Sequence, residues 1–243
     1  MVKELWPGGP CFKEESGVFR IGADSVLLAN FADGARIKKK KRAIDLGCGS
    51  GIISVLLALS NPELHIDGIE LQPRAARLAS ENVELCGLAG RINIIEGDLR
   101  RHREFLYSGA YDFTVSNPPY NPLGSGKRTA NADLAAARDD ELCTLGDLCR
   151  TARYLTRRGG SFFLVNKPER LSEILRALSI NSFEPKRIRF VHHKRSSPSN
   201  LVLIESRHGG NPSLKVEAPL ILLNDDNGDT DEIKSIYKRG GTE

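Results

Sequence analysis

The sequence predicts an α/β protein with a Rossmann-like, doubly wound, seven-stranded sheet, mostly parallel, with an antiparallel last pair of strands. Short apolar runs alternate with amphipathic segments of helical period from residue 43 onward, as in parallel α/β sheets. A glycine-rich turn at residues 47–51 joins the first apolar run to a helix-forming segment. We expect residues 1–243 to form a single domain, because a chain of this length can bury one core.

The first half of the sheet is predicted from three apolar runs, each bounded by turn-forming residues. Ahead of them, Asp24 is a good N-cap for a helix over residues 25–31. Pro73 suits a first helical turn and Gly87 suits a helix stop. The predicted strands are Ala43–Leu46, His65–Glu70 and Arg91–Glu96, with helices at Ile52–Leu59 and Pro73–Cys86.

The second half contains a buried strand at Tyr111–Ser116 and an amphipathic helix at Asp140–Thr156. The glycine pair 159–160 is expected to turn that helix into a strand at Ser161–Val165. The remaining predicted elements are a helix at Glu169–Leu178, an antiparallel pair at Ser182–His193 and Asn200–Glu205, an apolar run at Leu214–Leu223, and a short helix near Asp231–Tyr237 capped by Thr230.

Composition narrows the class of protein. The five cysteines are odd in number and show no metal-ligand spacing, which favours a reducing compartment and no metal site. No stretch approaches the roughly 20 apolar residues of a membrane span, and residues 1–11 lack the apolar core of a signal peptide. We therefore expect a cytoplasmic protein without a membrane partner.

Acidic residues lie at or just after the ends of three successive predicted strands. Asp45 precedes the glycine turn, Glu70 ends the next strand, and Asp98 follows Gly97 after the third. The turn spacing is G-x-G-x-G rather than the G-x-G-x-x-G of dinucleotide sites, which disfavours NAD. Ligands of open α/β sheets bind at the carboxyl ends of the strands, where Glu70 can accept ribose hydroxyls and Asp98 can contact an adenine edge. Asp45 suits a cationic ligand.

The tetrapeptide Asn117-Pro118-Pro119-Tyr120 follows the strand at 111–116. The two prolines fix an extended backbone whose carbonyls have no strand partner. A planar group with an exocyclic NH2 could donate its hydrogens to the Asn117 side-chain oxygen and the Pro118 carbonyl while stacking on Tyr120. A rigid turn without a ligand is the alternative interpretation of this motif alone.

These residues resemble the class I S-adenosylmethionine-dependent methyltransferases, and the NPPY motif resembles the branch that methylates exocyclic or amide nitrogens. The resemblance implies that residues 117–120 hold the target amine and form the catalytic site, and that residues 1–35 cover the cofactor. It implies S-adenosyl-L-methionine as cofactor, bound by Asp45, Leu46, Gly47, Cys48, Gly49, Gly51, Glu70, Leu71, Gly97, Asp98, Leu99 and Asn117, with Phe19 and Asp24 as further pocket candidates. Within this turn Cys48 is expected to be a small packing residue rather than a nucleophile.

A closer resemblance extends in patches from about residue 17 to the C-terminus. The segments Phe19–Phe31, Val191–Lys194 and Ser199–Glu205 are similar to those of the bacterial valine-tRNA adenine-N6 methyltransferases. The sequence departs from that pattern at Ala23, where a hydroxyl residue is usual, and at Asp139-Asp140, where His-Glu is usual. The resemblance implies methylation of adenosine 37, with tRNA as partner. We expect a monomer or weak dimer that carries residues 209–243 as a C-terminal extension.

The net charge is only +4, but the basic residues are clustered. Several basic clusters, in an enzyme whose predicted substrate group is a planar amine, indicate that this amine belongs to a base in a polyanion. Residues 121–132, rich in Gly, Pro, Ser and Asn, are expected to form a mobile loop beside the amine site. The clusters are Lys38–Arg42, then Arg100, Arg101 and Arg103, then Lys186, Arg187 and Arg189, then His192–Arg195.

Other functions share parts of this pattern. A protein glutamine-N5 methyltransferase would use the same amine geometry, but the roughly 40 residues before the glycine turn leave little room for a helical recognition domain. A guanine-N2 rRNA methyltransferase is a near alternative that the sequence separates poorly. A non-catalytic nucleic-acid-binding module would not need the acids Asp45, Glu70 and Asp98.

Overall fold

The computed structural model describes residues 2–15, 22–33, 37, 39–120 and 143–237. The helices within these ranges are α1 (Ala23–Ala32), α2 (Ile52–Ser60), α3 (Pro73–Leu85), α4 (Leu145–Leu155), α5 (Leu171–Ile180) and α6 (Asp231–Ile236), with short 3-10 helices at Leu99–Glu104 and Pro168–Arg170. The strands are β1 (Val2–Glu4), β2 (Cys11–Lys13), β3 (Arg42–Leu46), β4 (His65–Glu70), β5 (Ile92–Glu96), β6 (Tyr111–Ser116), β7 (Thr156–Asn166), β8 (Phe183–His192), β9 (Ser199–His208), β10 (Lys215–Val216) and β11 (Leu220–Ile221).

The main sheet has the order β10-β8-β9-β7-β6-β3-β4-β5, and β11 also pairs with β8. Strands β3 to β7 are parallel to one another, while β9 runs antiparallel to both β7 and β8. The predicted fold, a mostly parallel sheet with an antiparallel last pair, is therefore confirmed. The seven expected strands are β3 to β9, and within the described ranges the two-residue strands β10 and β11 add to them from the predicted apolar run.

Helices cover both faces of this sheet. Alternate residues of a strand point to opposite faces: Phe163 and Val165 of β7 pack with α1 and α2, whereas Phe162 and Leu164 pack with α4 and α5. Because helices cover both faces, the central strands are largely buried, and β7 is apolar from Phe162 to Val165. Their carboxyl ends therefore form a fixed edge between the two helical layers.

Two local predictions were wrong. Helix α1 begins at Ala23 with Gly22 as its N-cap, so Asp24 lies in the first turn and does not cap the helix. Strand β7 begins at Thr156, directly after α4, so the pair 159–160 lies within the strand rather than in a turn before it. Pairing with β6 is irregular there, and a Cβ on Gly160 would lie 2.6 Å from the Asp112 carbonyl oxygen, so this close approach requires glycine.

Other boundaries agree with the sequence. Thr144 and Asp147 form a capping box for α4; the earlier part of the predicted helix, residues 140–142, lies outside the described residues. Thr230 accepts a hydrogen bond from the Ile233 backbone and caps α6, as predicted. No helix in the described part of the chain is long and apolar enough to cross a membrane.

The hairpin β1–β2 was not predicted. Its strands have three residues each, too few to show a clear alternation of apolar and polar residues. The buried amide of Asn82 in α3 links the hairpin to the glycine turn: its Oδ1 accepts from the Lys13 backbone N–H at 2.7 Å, and its Nδ2 donates to the Ser50 carbonyl at 3.0 Å.

Candidate active site

A cleft opens at the carboxyl ends of β3 to β7, between α1 and α4. The ends of five adjacent strands contribute to it, as expected for ligand sites of doubly wound sheets. Its lining residues are Ser25, Leu46, Gly47, Cys48, Gly49, Ser50, Ile52, Ile53, Ile69, Glu70, Leu71, Gln72, Ala75, Gly97, Asp98, Leu99, Ser116, Asn117, Pro118, Pro119, Cys143, Thr144, Leu145, Leu148, Asn166 and Arg170.

The glycine turn leaves its backbone open to this cleft. Gly47 and Gly49 have φ values of 72° and 54°, and a Cβ on either would meet no described atom within 4 Å. Both positions therefore need glycine for conformation and keep space free for a ligand. Gly51 has a different role, because its Cβ position lies 3.3 Å from Cβ of Ala79, where α2 packs on α3.

Asp45 lies fully buried next to the first turn of α2. One carboxylate oxygen accepts a hydrogen bond from the Ser54 hydroxyl at 2.9 Å, while Oδ1 has no hydrogen-bond partner among the described residues. Burial raises the pKa of Asp45 to about 7, and the nearby charge of Glu70 adds to the increase. A buried carboxylate oxygen without a partner is a suitable acceptor for a cationic or N–H-bearing ligand group.

Glu70 is held in place by the backbone around it. Its two carboxylate oxygens accept from the N–H groups of Gly49 and Gln72, each at 2.9 Å. Burial raises the pKa of Glu70, although these two hydrogen bonds lower it in part. Each oxygen keeps a second lone pair, so the carboxylate can still accept ribose hydroxyls from the cleft.

Asp98 lies at the other end of the cleft and is paired with Arg100. The guanidinium donates to both carboxylate oxygens at 2.6–3.0 Å, and this contact lowers the pKa of Asp98. The preceding glycine, Gly97, would place a Cβ 3.2 Å from the ring of Phe105. The loop after β5 is therefore closely packed, and Asp98 remains ionised where it lines the cleft.

Cys48 has the environment of a packing residue. Its sulfur lies 3.0 Å from the position that a Cβ would take on Gly68, and burial raises the pKa of the thiol well above its usual range. A thiol that stays protonated is a poor nucleophile. The geometry therefore agrees with the packing role expected from the sequence.

The Asn-Pro-Pro-Tyr segment follows β6 and contacts the first turn of α1. The Asn117 side-chain NH2 donates to the Ser25 hydroxyl at 3.0 Å. The Tyr120 hydroxyl donates to the Asp24 carboxylate, and its oxygen lies 2.9 Å from Asn117 Oδ1. Burial and the adjacent Asp24 charge raise the pKa of Tyr120, so this hydroxyl stays protonated. Together these contacts fix the Asn117 amide at the cleft.

The chain that follows β7 also contacts Tyr120. The Lys167 ammonium lies 5.3 Å from the centre of the Tyr120 ring, and an Arg170 guanidinium nitrogen lies 3.4 Å from the Tyr120 carbonyl oxygen. Stacking of a base on the ring face covered by Lys167 would require that ammonium to move. Of the other predicted pocket candidates, Asp24 contacts Tyr120, and Phe19 lies outside the described residues.

Sequence reasoning missed several residues that line the cleft, notably Ser25, Gln72, Ser116, Asn166 and Arg170. Asn166 could have been found, because it is the polar residue that ends a strand next to β6, like the acids of the other strands. Ser25 and Arg170 could not, because their positions depend on contacts with residues distant in sequence.

The basic clusters lie at different edges of the sheet. Residues 39–42 lie at the start of β3, away from the cleft, whereas residues 186–189 lie in the middle of β8, where Arg187 and Arg189 are paired with acids. After β5, Arg100 and Arg101 are likewise paired with Asp98 and Glu104. The turn between β8 and β9 lies at the cleft edge, and within the described structure no ion pair joins its cations His193, Lys194 and Arg195 to an acid.

Fold and site together define a class. At one edge of a doubly wound sheet, a glycine turn, Glu70, Asp98 and a fixed amide line one cleft, with the fully buried Asp45 next to the turn. This is the arrangement of α/β proteins that bind a nucleoside-containing ligand. The chain belongs to the methyltransferase small domain family, whose model matches residues 11–178. The methyltransferase resemblance of the sequence is thus confirmed.

Named relatives have similar sequences. The chain is 40% identical over 164 residues to the tRNA1(Val) (adenine(37)-N6)-methyltransferase of Yersinia pseudotuberculosis serotype O:3, a match that covers 65% of this chain and 63% of that protein. The protein of the same name from Yersinia pestis strain Pestoides F is also 40% identical, with 64% of it covered. The matched region thus spans slightly less than two thirds of these relatives.

Solved structures share the fold. A predicted O-methyltransferase from Agrobacterium tumefaciens superposes with a TM-score of 0.71 at 21% identity, covering 88% of this chain and 95% of that one. TrmN from Thermus thermophilus superposes with a TM-score of 0.55 at 22% identity, covering 76% of this chain and 48% of that one. At these identities the likeness establishes the architecture alone.

Proposed function

We propose that this protein transfers a methyl group from S-adenosylmethionine to the exocyclic N6 amine of an adenine in tRNA, at adenosine 37 of valine tRNA. One observation carries the proposal: Asn117, Pro118 and Pro119 line the same cleft as the glycine turn, Glu70 and Asp98. The proposed amine-binding corner would thus lie beside the proposed nucleoside site. The named Yersinia relatives support the choice of substrate.

The residues present fit the proposed cofactor. The partnerless oxygen of Asp45 and the open space over Gly47 and Gly49 suit its charged amino-acid part. Glu70 would accept the ribose hydroxyls, and Asp98 would contact the adenine edge. S-Adenosylmethionine, when bound, supplies an electrophilic methyl group attached to a sulfonium. The cleft's own acids favour such a cation over a pyrophosphate.

The Asn-Pro-Pro corner would activate the target amine. The N6 lone pair of adenine is delocalised into the ring, which makes the amine a weak nucleophile. Two acceptors, Asn117 Oδ1 and the Pro118 carbonyl, would favour a pyramidal nitrogen and the positive charge that develops as it is alkylated. A preorganised group of this kind contributes roughly 3 to 4 kcal/mol. Once methylated, the nitrogen is acidic and loses its proton without a strong base.

Charge at the cleft edge supports an RNA substrate. His193, Lys194 and Arg195 lie in the β8–β9 turn, with no ion pair in the described structure, and Lys167 lies beside the amine corner. Phosphate contacts of this kind position a nucleic acid without reading its sequence. The target base would leave its stack to enter the cleft. We propose that the protein acts in the cytoplasm, where tRNA is modified.

The test is transfer of labelled methyl groups into total tRNA and total protein, followed by nucleoside analysis of the tRNA. We expect N6-methyladenosine to appear in tRNA only, and in valine tRNA above the other species. Label confined to protein would instead indicate a glutamine methyltransferase, and N2-methylguanosine in ribosomal RNA would indicate the guanine enzyme. Asn117→Ala protein serves as the inactive control, since it removes one acceptor and leaves the acids of the cleft intact.

A further inference from the structure

Asn166, the last residue of β7, carries a buried amide with a fixed orientation. Its Oδ1 lies 2.8 Å from the Lys167 backbone nitrogen. A backbone N–H can only donate, so the side-chain atom that faces it must be the oxygen. The NH2 group therefore faces the other way, where it is buried and has no hydrogen-bond partner among the described residues. A buried donor in this state needs an acceptor, and a ligand in the cleft can supply one.

This donor belongs to the amine corner of the cleft. Asn166 lines the cleft together with Asn117, Pro118 and Pro119. Strands β6 and β7 are parallel with Ser116 opposite Leu164, so extending the register places Asn166 level with Pro118. The next residue, Lys167, lies over the Tyr120 ring. A group whose amine is held at Asn117 would thus present its neighbouring ring atoms to Asn166.

The combination of acceptors and donor matches one edge of adenine. The Watson–Crick edge of adenine carries the N6 amine beside N1, a ring nitrogen that accepts a hydrogen bond, and flipped bases are read along this edge. On the basis of the proposed function, we propose that Asn166 Nδ2 donates to N1 of the target adenine while the corner holds N6. Asn166 is then a specificity-determining residue. It donates a hydrogen bond when the ring atom next to the amine is an acceptor, and it gains no hydrogen bond when that atom is carbon.

The test combines a protein variant with a nucleobase analogue. Valine tRNA is assembled with adenosine, 1-deazaadenosine or 7-deazaadenosine at position 37, and single-turnover methyl transfer is measured. Wild-type enzyme should slow about tenfold or more on the 1-deaza substrate, the effect of a lost buried hydrogen bond. Asn166→Leu should be similarly slow on adenosine and should show no comparable further loss on the 1-deaza substrate. Replacing adenosine with 7-deazaadenosine should change the methyl-transfer rates of both enzymes by the same factor.

Two controls address folding and substrate reactivity. Asn166→Asp keeps the size and the oxygen facing Lys167 but loses the donor, so it should reproduce the insensitivity to N1 if the leucine variant is unstable. Asn93→Leu, in β5 away from the cleft, should show the full wild-type loss on 1-deazaadenosine. Because all enzymes meet the same analogue, its altered amine reactivity cancels in the ratio between wild type and variant.

The outcomes separate this inference from the proposed function. If wild type and both Asn166 variants lost the same factor in methyl-transfer rate on 1-deazaadenosine, the contact would be overturned. It would also be overturned if wild type and variants differed in their rate loss on 7-deazaadenosine instead. If wild-type protein still methylates the adenosine substrate in that case, the proposed function stands without the contact. If it methylates no adenosine substrate while binding S-adenosylmethionine, both the function and the contact fail.

Discussion

The Tyr120 hydroxyl donates to the Asp24 carboxylate and so joins the end of β6 to the first turn of α1, across 96 residues of sequence. Asn117 and Ser25 form a second contact between the same two segments. The amine corner is therefore held from outside the sheet as well as by its two prolines. Helix α1, which the sequence indicated only as a helix before the sheet, acts as a support for the proposed catalytic residues.

Removing this contact should lower turnover more than cofactor affinity. Tyr120→Phe loses a hydrogen bond to a charged group, which contributes about 1.5–3 kcal/mol, so turnover should fall roughly 10- to 100-fold. The Kd for S-adenosylmethionine should change by less than about threefold, because the acids of the cleft are untouched. Asp24→Asn should cause a similar loss. Because both substitutions remove the same contact, the double variant should be little less active than either single variant. Additive losses in turnover would contradict this role of the contact.

Asn117→Ala should abolish most activity and leave cofactor binding intact. Loss of one preorganised acceptor typically costs about 10²- to 10³-fold in turnover. The measurements are initial methyl-transfer rates and calorimetric cofactor affinity. Asn93→Ala, a change on β5 away from the cleft, should retain wild-type activity. If Asn117→Ala transferred methyl groups at the wild-type rate, the proposed role of the Asn117 amide would be refuted.

Asp45 should make stability fall as pH rises. Its pKa is raised from 3.8 to about 7 by burial, so the folded protein keeps a proton that the unfolded chain releases between these values. The unfolded state therefore binds fewer protons in this window, and the free energy of unfolding decreases with increasing pH. The ideal effect of this shift is about 4 kcal/mol, fully developed above pH 7.

The comparison with Asp45→Asn isolates this group from the other acids. Urea unfolding of both proteins at pH 5 and pH 7.5 should show the wild type losing more stability than the variant. Binding of the cationic cofactor should favour the ionised carboxylate and release a proton near neutral pH. Calorimetry in buffers of different ionisation enthalpy would detect that release in wild type only. A pH-independent difference between the two proteins would show that Asp45 is not the titrating group.

Arg187 should matter for stability and little for RNA binding. Its guanidinium contacts Glu205 at 2.6 Å, with both side chains largely buried, and also donates to the Phe31 carbonyl at 2.8 Å. Arg187→Leu leaves the Glu205 carboxylate buried without this partner, a change that typically costs about 3–5 kcal/mol. Chemical denaturation should show this loss, while tRNA affinity of the folded variant stays near wild type. A stable variant with weakened tRNA binding would reverse this assignment.

Arg195 should show the opposite behaviour. It is exposed in the β8–β9 turn at the cleft edge, so Arg195→Gln should leave the unfolding free energy within about 0.5 kcal/mol of wild type. The tRNA affinity should fall, and the slope of log K against log salt should decrease by up to about one. Lys39→Gln, exposed ahead of β3 at the opposite edge, is the matched control and should alter neither quantity.

The fold and the position of the cleft could be predicted because they depend on local patterns. The polar residues at 45, 70, 98 and 117 lie at or just after the ends of four strands, and parallel strands bring those ends to one edge. The same rule, applied to β7, would have selected Asn166. Asn166 was missed because the strand was predicted to end at Val165, one residue before its actual end.

Contacts between distant segments could not be predicted in this way. Nothing in the sequence near Asp24 distinguishes an N-cap from an acceptor for Tyr120, since both roles need a short acidic side chain at a helix start. The run of cations at 186–189 likewise resembled a nucleic-acid surface. Three-dimensional pairing with Glu205 and Glu232 gives two of those cations a structural role instead.

The position of the β8–β9 turn late in the sequence has a consequence for the order in which the protein is made. Every described residue that lines the cleft lies between Ser25 and Arg170, whereas the cations of the β8–β9 turn follow at 193–195. A nascent chain emerging from the ribosome therefore contains all of the described lining before it contains those charges.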